Sequence, residues 1–362
     1  MKRETVLVLQ GGGALGAFQC GVYMALEERG IIPDLIAGVS IGAVNAAIIA
    51  GSPRGRAAPA LEAFWSEIAV PDPPVSPEAL RRLLAAWQIA LFGVPKFFIP
   101  RWLAPSWQAL RPFPWLTWTS LYDPTPLKKT IEKYVDFGRL ASGETRLILT
   151  AVNVETGGQE VFDSAEQRIG VEHIVASGSF PPGLPWTVID GKAYWDGGLV
   201  TNTPLQPVME RRAGVPLRIY VVNLFPKAQP LPRNLLGVVS RQKDILYADK
   251  TECDLRNCEL RDETLALVQE LMEHVDPKVA GQIRQSGRYR GLVEQTCRVE
   301  IIRFAHHGEA FESESKDYDF SRGTVRQHIR HGYEHARAIL AQEAAQSEKE
   351  ASLVSDRREE GT

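Results

Sequence analysis

The chain has 362 residues, 44% of them apolar and 23% charged, with a net charge of −3 at neutral pH. That length and apolar content can bury a large core, either as one big α/β domain with additions or as two domains. Lysines and arginines are scattered with no basic stripe, which argues against a polyanion partner and against nucleic-acid binding.

The apolar run Thr5–Gln10 predicts a first strand, and a helix is expected from about Ala17 to Arg29. Between them stands Gly11-Gly12-Gly13-Ala14-Leu15-Gly16. Successive glycine amides at a helix start can converge on negative charge, as an oxyanion hole or a phosphate cradle. Read as GxGxxG through Gly11, Gly13 and Gly16, the loop also fits a dinucleotide fingerprint, which wants an acid at the end of the second strand. The second strand, Leu35-Ile36-Ala37, runs instead into Gly38-Val39-Ser40-Ile41-Gly42, and the nearby acid, Asp34, sits at its start. A GxSxG between a strand and the helix-like run Ala43–Ala50 is the pattern of a nucleophile elbow, which makes Ser40 a candidate nucleophile. A plain strand-to-helix turn is the bland alternative.

Residues 71–126 form an insertion dense in proline and aromatic residues. It holds five of the eight tryptophans, Trp87, Trp102, Trp107, Trp115 and Trp118. Leu83–Phe92 predicts an apolar helix that Gly93 and Pro95 end well short of the ~20 residues a membrane crossing needs. Tryptophan beside Arg and Lys over residues 83–118 suits a peripheral membrane surface or a lid on an acyl cleft; ordinary packing is the alternative. Further on, Asp190-Gly191 between two short β-prone runs predicts a hairpin whose second strand ends on Asp196, before Gly197-Gly198. On its own, Asp196 reads as a turn cap.

Pro216–Leu224 predicts a buried strand, residues 235–274 a largely helical stretch, Arg298–Phe304 another strand, and Thr324 to about Gln342 an amphipathic helix. From about Ser347 to Thr362 the chain is charged, short of apolar groups, and expected to be disordered. Cys20, Cys253, Cys258 and Cys297 show no zinc-ligand spacing, so reduced thiols are expected. Met1-Lys2-Arg3-Glu4 leads straight into the first strand without a separate apolar stretch and cleavage site, so a cytoplasmic protein is expected, whether or not it touches a membrane.

Taken together, Gly11–Gly16, Gly38–Gly42 and Asp196–Gly198 resemble the patatin-like phospholipase family, in order and in type. Ala176-Ser177-Gly178-Ser179-Phe180-Pro181-Pro182 is similar to the family's segment before the hairpin, and Ser315–Arg322 to the C-terminal extension of a bacterial subgroup. The resemblance implies a three-layer α/β/α fold with a mainly parallel sheet, a catalytic domain over 1–225, a mainly helical extension over 226–346, and a tail over 347–362. It implies a lipid ester substrate and a Ser-Asp dyad of Ser40 and Asp196. Amides of Gly11, Gly12 and Gly13 would be the oxyanion donors, with Gly16, Gly38, Gly42, Gly197 and Gly198 supporting the turns. Where the family often has Arg or Lys before the last loop glycine, this chain has Leu15.

The chemistry agrees with that implication, because an alcohol needs a base within reach and donors where the carbonyl oxygen becomes negative. It requires no metal and no organic cofactor. A Ser-His-Asp triad is the competing mechanism, with His173, His306, His307, His328, His331 and His335 to draw on. His328, His331 and His335 follow helical spacing in a polar segment and are expected to face solvent. A lipid-binding protein that keeps the fold without turnover is the non-enzyme alternative.

Overall fold

The computed structural model describes residues 3–75, 78–103, 118–211, 215–232, 234–295, 299–308 and 316–359. Its elements open with β1 (Glu4–Leu9), α1 (Gly16–Glu28), β2 (Leu35–Gly38), α2 (Ile41–Ala50) and α3 (Ala58–Ile68). The insertion follows as α4 (Glu78–Phe92), β3 (Ile99–Pro100) and β4 (Tyr122–Asp123). Next come α5 (Thr125–Tyr134), α6 (Phe137–Ser142), β5 (Arg146–Asn153), β6 (Gln159–Asp163), α7 (Val171–Ser177), β7 (Thr187–Ile189) and β8 (Lys192–Asp196). The chain continues through α8 (Leu205–Arg211), β9 (Leu217–Asn223), α9 (Leu235–Glu273), α10 (Pro277–Gln285), α11 (Gly287–Gln295), β10 (Val299–Ala305) and α12 (Arg322–Glu359).

The central sheet runs β10-β9-β1-β2-β5 in parallel, with β6, β7 and β8 added antiparallel. Its strands are nearly continuous apolar runs because both faces are covered, as parallel sheets require. Alternate residues divide between two cores: Leu7, Leu9, Ile36, Leu149 and Val222 join the larger one, Val6, Val8, Leu35, Ala37 and Val221 the smaller one. This is the α/β/α layering expected from the sequence.

The register of β5 positions the site. Its residues Ile148 and Leu149 pair with both β2 and β6, and Ala151 and Val152 pair with both β6 and β8. A strand has two edges, so β2 and β8 must share one and β6 takes the other. β2 gives out where Gly38 meets Leu149, and β8 takes over where Asp196 meets Ala151. The serine turn that leaves β2 and the acid that ends β8 therefore arrive at neighbouring points.

The C-terminal extension is continuous with this framework. β10 extends the sheet beside β9, and α12 lies along α1. The two helices approach at a pair of glycines: a Cβ on Gly21 would fall 1.9 Å from the Ile329 carbonyl oxygen, and one on Gly332 would fall 2.0 Å from that of Phe18. α12 runs past residue 347, from which disorder was expected, on to Glu359.

Within the insertion, α4 covers the expected apolar helix. Ala85 and Ile89 face inward, while Trp87, Leu91 and Phe92 are exposed. Trp107 and Trp115 lie outside the described residues. Among the described residues no helix is long and apolar enough to cross a membrane.

Candidate active site

Ser40 sits between β2 and α2 with φ 56° and ψ −128°, a conformation L-residues avoid at a cost on the order of 1–3 kcal/mol. The surroundings impose it. A Cβ on Gly38 would come within 2.4 Å of the Gly42 carbonyl oxygen, and one on Gly42 within 2.3 Å of that of Leu9. Only glycine fits at either flank. The Ser40 amide donates to the Ser177 carbonyl at 3.0 Å, and the Ser177 hydroxyl, 3.2 Å from the same amide, donates onward to the Thr150 carbonyl. Ser177 thus ties the serine turn to β5.

Asp190 (φ 49°) and Gly191 (φ 78°) make the expected tight turn between β7 and β8. Asp196 follows at the strand end, 1% exposed. Its amide donates to the Ser179 carbonyl and its Oδ1 accepts from the Gly198 amide at 2.7 Å. Oδ2 is buried and has no hydrogen-bond partner of normal geometry, although the Ser40 hydroxyl lies close enough to favour the ionised carboxyl. Burial pushes the Asp196 pKa up to about 7, with the Ser40 hydroxyl and the Gly198 amide pulling the other way. Catalytic hydrogen bonds are often loose before substrate arrives, so an open Oδ2 suits a waiting base.

The glycine loop packs against the serine, with a Cβ on Gly11 falling 2.9 Å from that of Ser40. Gly11 is not the free oxyanion donor that the resemblance implied. The Gly11 amide donates to the Asn202 carbonyl at 3.2 Å, and the Asn202 side-chain amide returns a bond to the Gly11 carbonyl at 3.0 Å, so Gly11 has no N–H to offer an oxyanion. The amides of Gly12 and Gly13 donate no hydrogen bond among the described residues. Asn202 is a site residue the sequence did not reveal, since it lies 191 positions from its partner. Below the loop, a buried polar chain runs from Trp65 through Asn45 and Gln19 to the Gln10 carbonyl and fixes the start of α1. Leu15 is fully buried in the larger core.

Ser40, Asp196 and the three loop glycines border one cavity of about 510 Å³. Phe97, Phe98 and Tyr122 of the insertion and Phe180 and Leu184 before the hairpin make it mostly apolar, and Phe320 comes from the extension. Such a set can take a proton from an alcohol and receive a developing oxyanion. Among the described residues that line it, none is a histidine. His173 accepts from the Gly170 amide and packs on Phe162. His306 and His335 pack on Phe18, and His328 and His307 pack on them in turn. His328, expected to face solvent, is therefore 2% exposed, because α12 turns that side toward α1 and β10.

A profile of the family described as "Patatin-like phospholipase" matches residues 7–209, and one described as "Patatin phospholipase" matches 245–352. A lysophospholipase nte1 of Aspergillus terreus is 58% identical over 48 residues, 13% of this chain and 3% of that protein. A triacylglycerol lipase SDP1L of Arabidopsis thaliana is 41% identical over 62 residues, 17% of this chain and 7% of that protein. These alignments thus span only a small part of either relative. Among solved structures, VipD from Legionella pneumophila aligns over 94% of this chain and 67% of its own with a TM-score of 0.40 and 14% identity. With glycine loop, serine turn and Asp-Gly-Gly all inside the first matched region, the chain belongs to the patatin-like phospholipase family.

Proposed function

We propose that this protein is a serine acyl hydrolase that cleaves carboxylic esters of lipids through a dyad of Ser40 and Asp196. Ser40 Oγ attacks the ester carbonyl carbon while its proton passes to Asp196. The carbonyl oxygen becomes negative facing the amides of Gly12 and Gly13. Collapse expels the alcohol, which takes the proton from Asp196 and leaves an acyl-serine. Water then gives a proton to Asp196, attacks the acyl carbon, and frees the fatty acid as Ser40 regains its hydrogen.

The observation that carries this reading is the carboxyl of Asp196, raised to about 7 and turned toward a strained serine in an apolar cavity. A base poised near neutral pH is what an alcohol nucleophile needs. The mostly apolar lining supports an acyl chain as the occupant, and the names of the relatives, a lysophospholipase and a triacylglycerol lipase, support lipid esters as the class. The cavity wall supports a lipid surface as the place of work. Tyr122 lines the cavity and meets the exposed Trp102, whose indole donates to the Leu91 carbonyl beside exposed Phe92.

Turnover of a short p-nitrophenyl ester, with labelling by a fluorophosphonate, tests the assignment. Ser40→Ala is expected to lower kcat by roughly 10⁴-fold or more and to abolish labelling. A variant that still turned over or still took the label would overturn it.

A further inference from the structure

The C-terminal extension contributes Lys243, Tyr247, Asp317, Tyr318 and Phe320 to the cavity wall, and part of that wall holds the glycine loop. The Asp317 carbonyl accepts from the Ala14 amide at 2.9 Å. The same oxygen would lie 2.2 Å from a Cβ on Gly13, whose φ is +56°, so it presses directly on the peptide that carries the donors. Asp317 is itself tethered. Its Oδ2 accepts from Lys243 Nζ of α9 at 2.8 Å, and that ammonium stands 4.7 Å from the centre of the Tyr318 ring. One residue along in each segment, Lys316 Nζ lies 2.8 Å from Asp244, both nearly buried. Two Lys-Asp dipeptides are thus joined by crossed ion pairs. Asp319 anchors the other end by accepting from the Ser321 amide and the Thr324 hydroxyl at the start of α12.

We propose that residues 316–320 clamp the glycine loop, with Asp317 as a positioning residue for the Gly12 and Gly13 amides and Lys243 as the group that holds it and balances its charge. The proposal rests on the acyl-hydrolase reading for its kinetic consequence. A carboxylate at the edge of an apolar cavity opposes any negative charge formed nearby. Paired with Lys243, Asp317 contributes no net charge. Without Lys243, the carboxylate both swings free of its anchor and repels the oxyanion.

The test uses the full chain as wild type, Ser40→Ala, Lys243→Met, Asp317→Asn and the double variant Lys243→Met with Asp317→Asn. Lys243→Met is expected to lower kcat by about tenfold or more with KM within about twofold, since donors that act in the transition state are displaced while the acyl cavity is kept. The double variant should recover only the part of that loss caused by the stranded charge and keep the part caused by the lost tether. Hydrogen exchange of the peptide spanning residues 11–17 gives a second readout, with the Ala14 amide exchanging about tenfold faster in Lys243→Met. Unchanged exchange in both single variants overturns the clamp. So does a double variant whose kcat loss equals the product of the two single losses. If wild type gives no turnover above Ser40→Ala, the hydrolase reading falls and exchange alone decides the clamp; if wild type turns over and the loop exchanges as before in the variants, only the clamp falls.

Discussion

Asp163 and Asp196 end strands that border opposite edges of β5, and both are buried, at 0% and 1% exposure. Burial raises the pKa of each, but only Asp163 has cations to answer it. Arg146 binds it with two nitrogens and Arg211 stands 3.3 Å away, and with the Ala165 amide they bring its pKa below the usual carboxylate range. Asp196 has one backbone amide and a serine hydroxyl, so burial wins and its pKa rises to about 7. The same side chain is thus a fixed anion at one edge and a titrating group at the other, and the difference lies in two guanidinium groups.

The largest effect should come from neutralising each acid in turn. Asp196→Asn is expected to cut kcat by roughly 10³-fold while stabilising the fold at pH 8 by on the order of 2–4 kcal/mol, since a costly buried charge is removed. Asp163→Asn should do the reverse. It strands Arg146 and Arg211, costing on the order of 2–3 kcal/mol in urea denaturation, and leaves turnover per folded molecule near wild type. Equal effects of the two changes on turnover would erase the contrast.

Next comes pH. In the proposed mechanism only ionised Asp196 acts as base, so kcat/KM should fall about tenfold per pH unit below about 7. The raised pKa also means that the folded chain holds a proton that the unfolded chain releases from about pH 4 upward. This residue's contribution to stability therefore declines as pH rises toward 7, and the melting temperature of Asp196→Asn should gain on wild type over that interval. Asp163 has its pKa lowered, so its contribution is present at neutral pH and is lost only as acid protonates it. A flat rate profile between pH 5 and 8 would contradict the assignment of Asp196.

A smaller loss is expected from Gly13→Ala, which must hold a Cβ at φ +56° against the Asp317 carbonyl. Displacing a donor should lower kcat by about 10–100-fold, and the apparent pKa of about 7 should stay where it is because Asp196 is untouched. The mildest change is Trp87→Ser with Phe92→Ser. Turnover of a soluble ester should remain within about twofold, while sedimentation with phosphatidylcholine vesicles drops severalfold. Equal vesicle binding by wild type and variant would remove α4 from any lipid surface.

Ser40 and Asp196 were legible because each carries its signal locally: a GxSxG after a strand, and an acid closing a hairpin whose Asp-Gly turn is itself a short-range pattern. β1, β2, β7, β8, β9 and β10 were legible for the same reason, whereas β5 and β6 were not read from the sequence. Asn202 was not legible, and the segments that hold Ser177, Lys243 and Asp317 were read without the roles of those side chains, since each matters through a partner far along the chain. Gly11 was assigned a donor role from the family resemblance and its place in the glycine loop, and neither shows that Asn202 already takes its N–H. The helical periodicity of His328 and His335 was readable, but a polar helix face gives no sign that a second histidine pair lies against it.

The shared edge of β5 makes that strand a ruler. Leu149 and Ala151 mark where one neighbour stops and the next begins, and the two marks lie two residues apart, on the same side of the pleat. Insertion of a single residue between them would reverse the side on which the second mark falls and turn the Asp196 carboxyl away from the serine. The spacing along this strand cannot change by one.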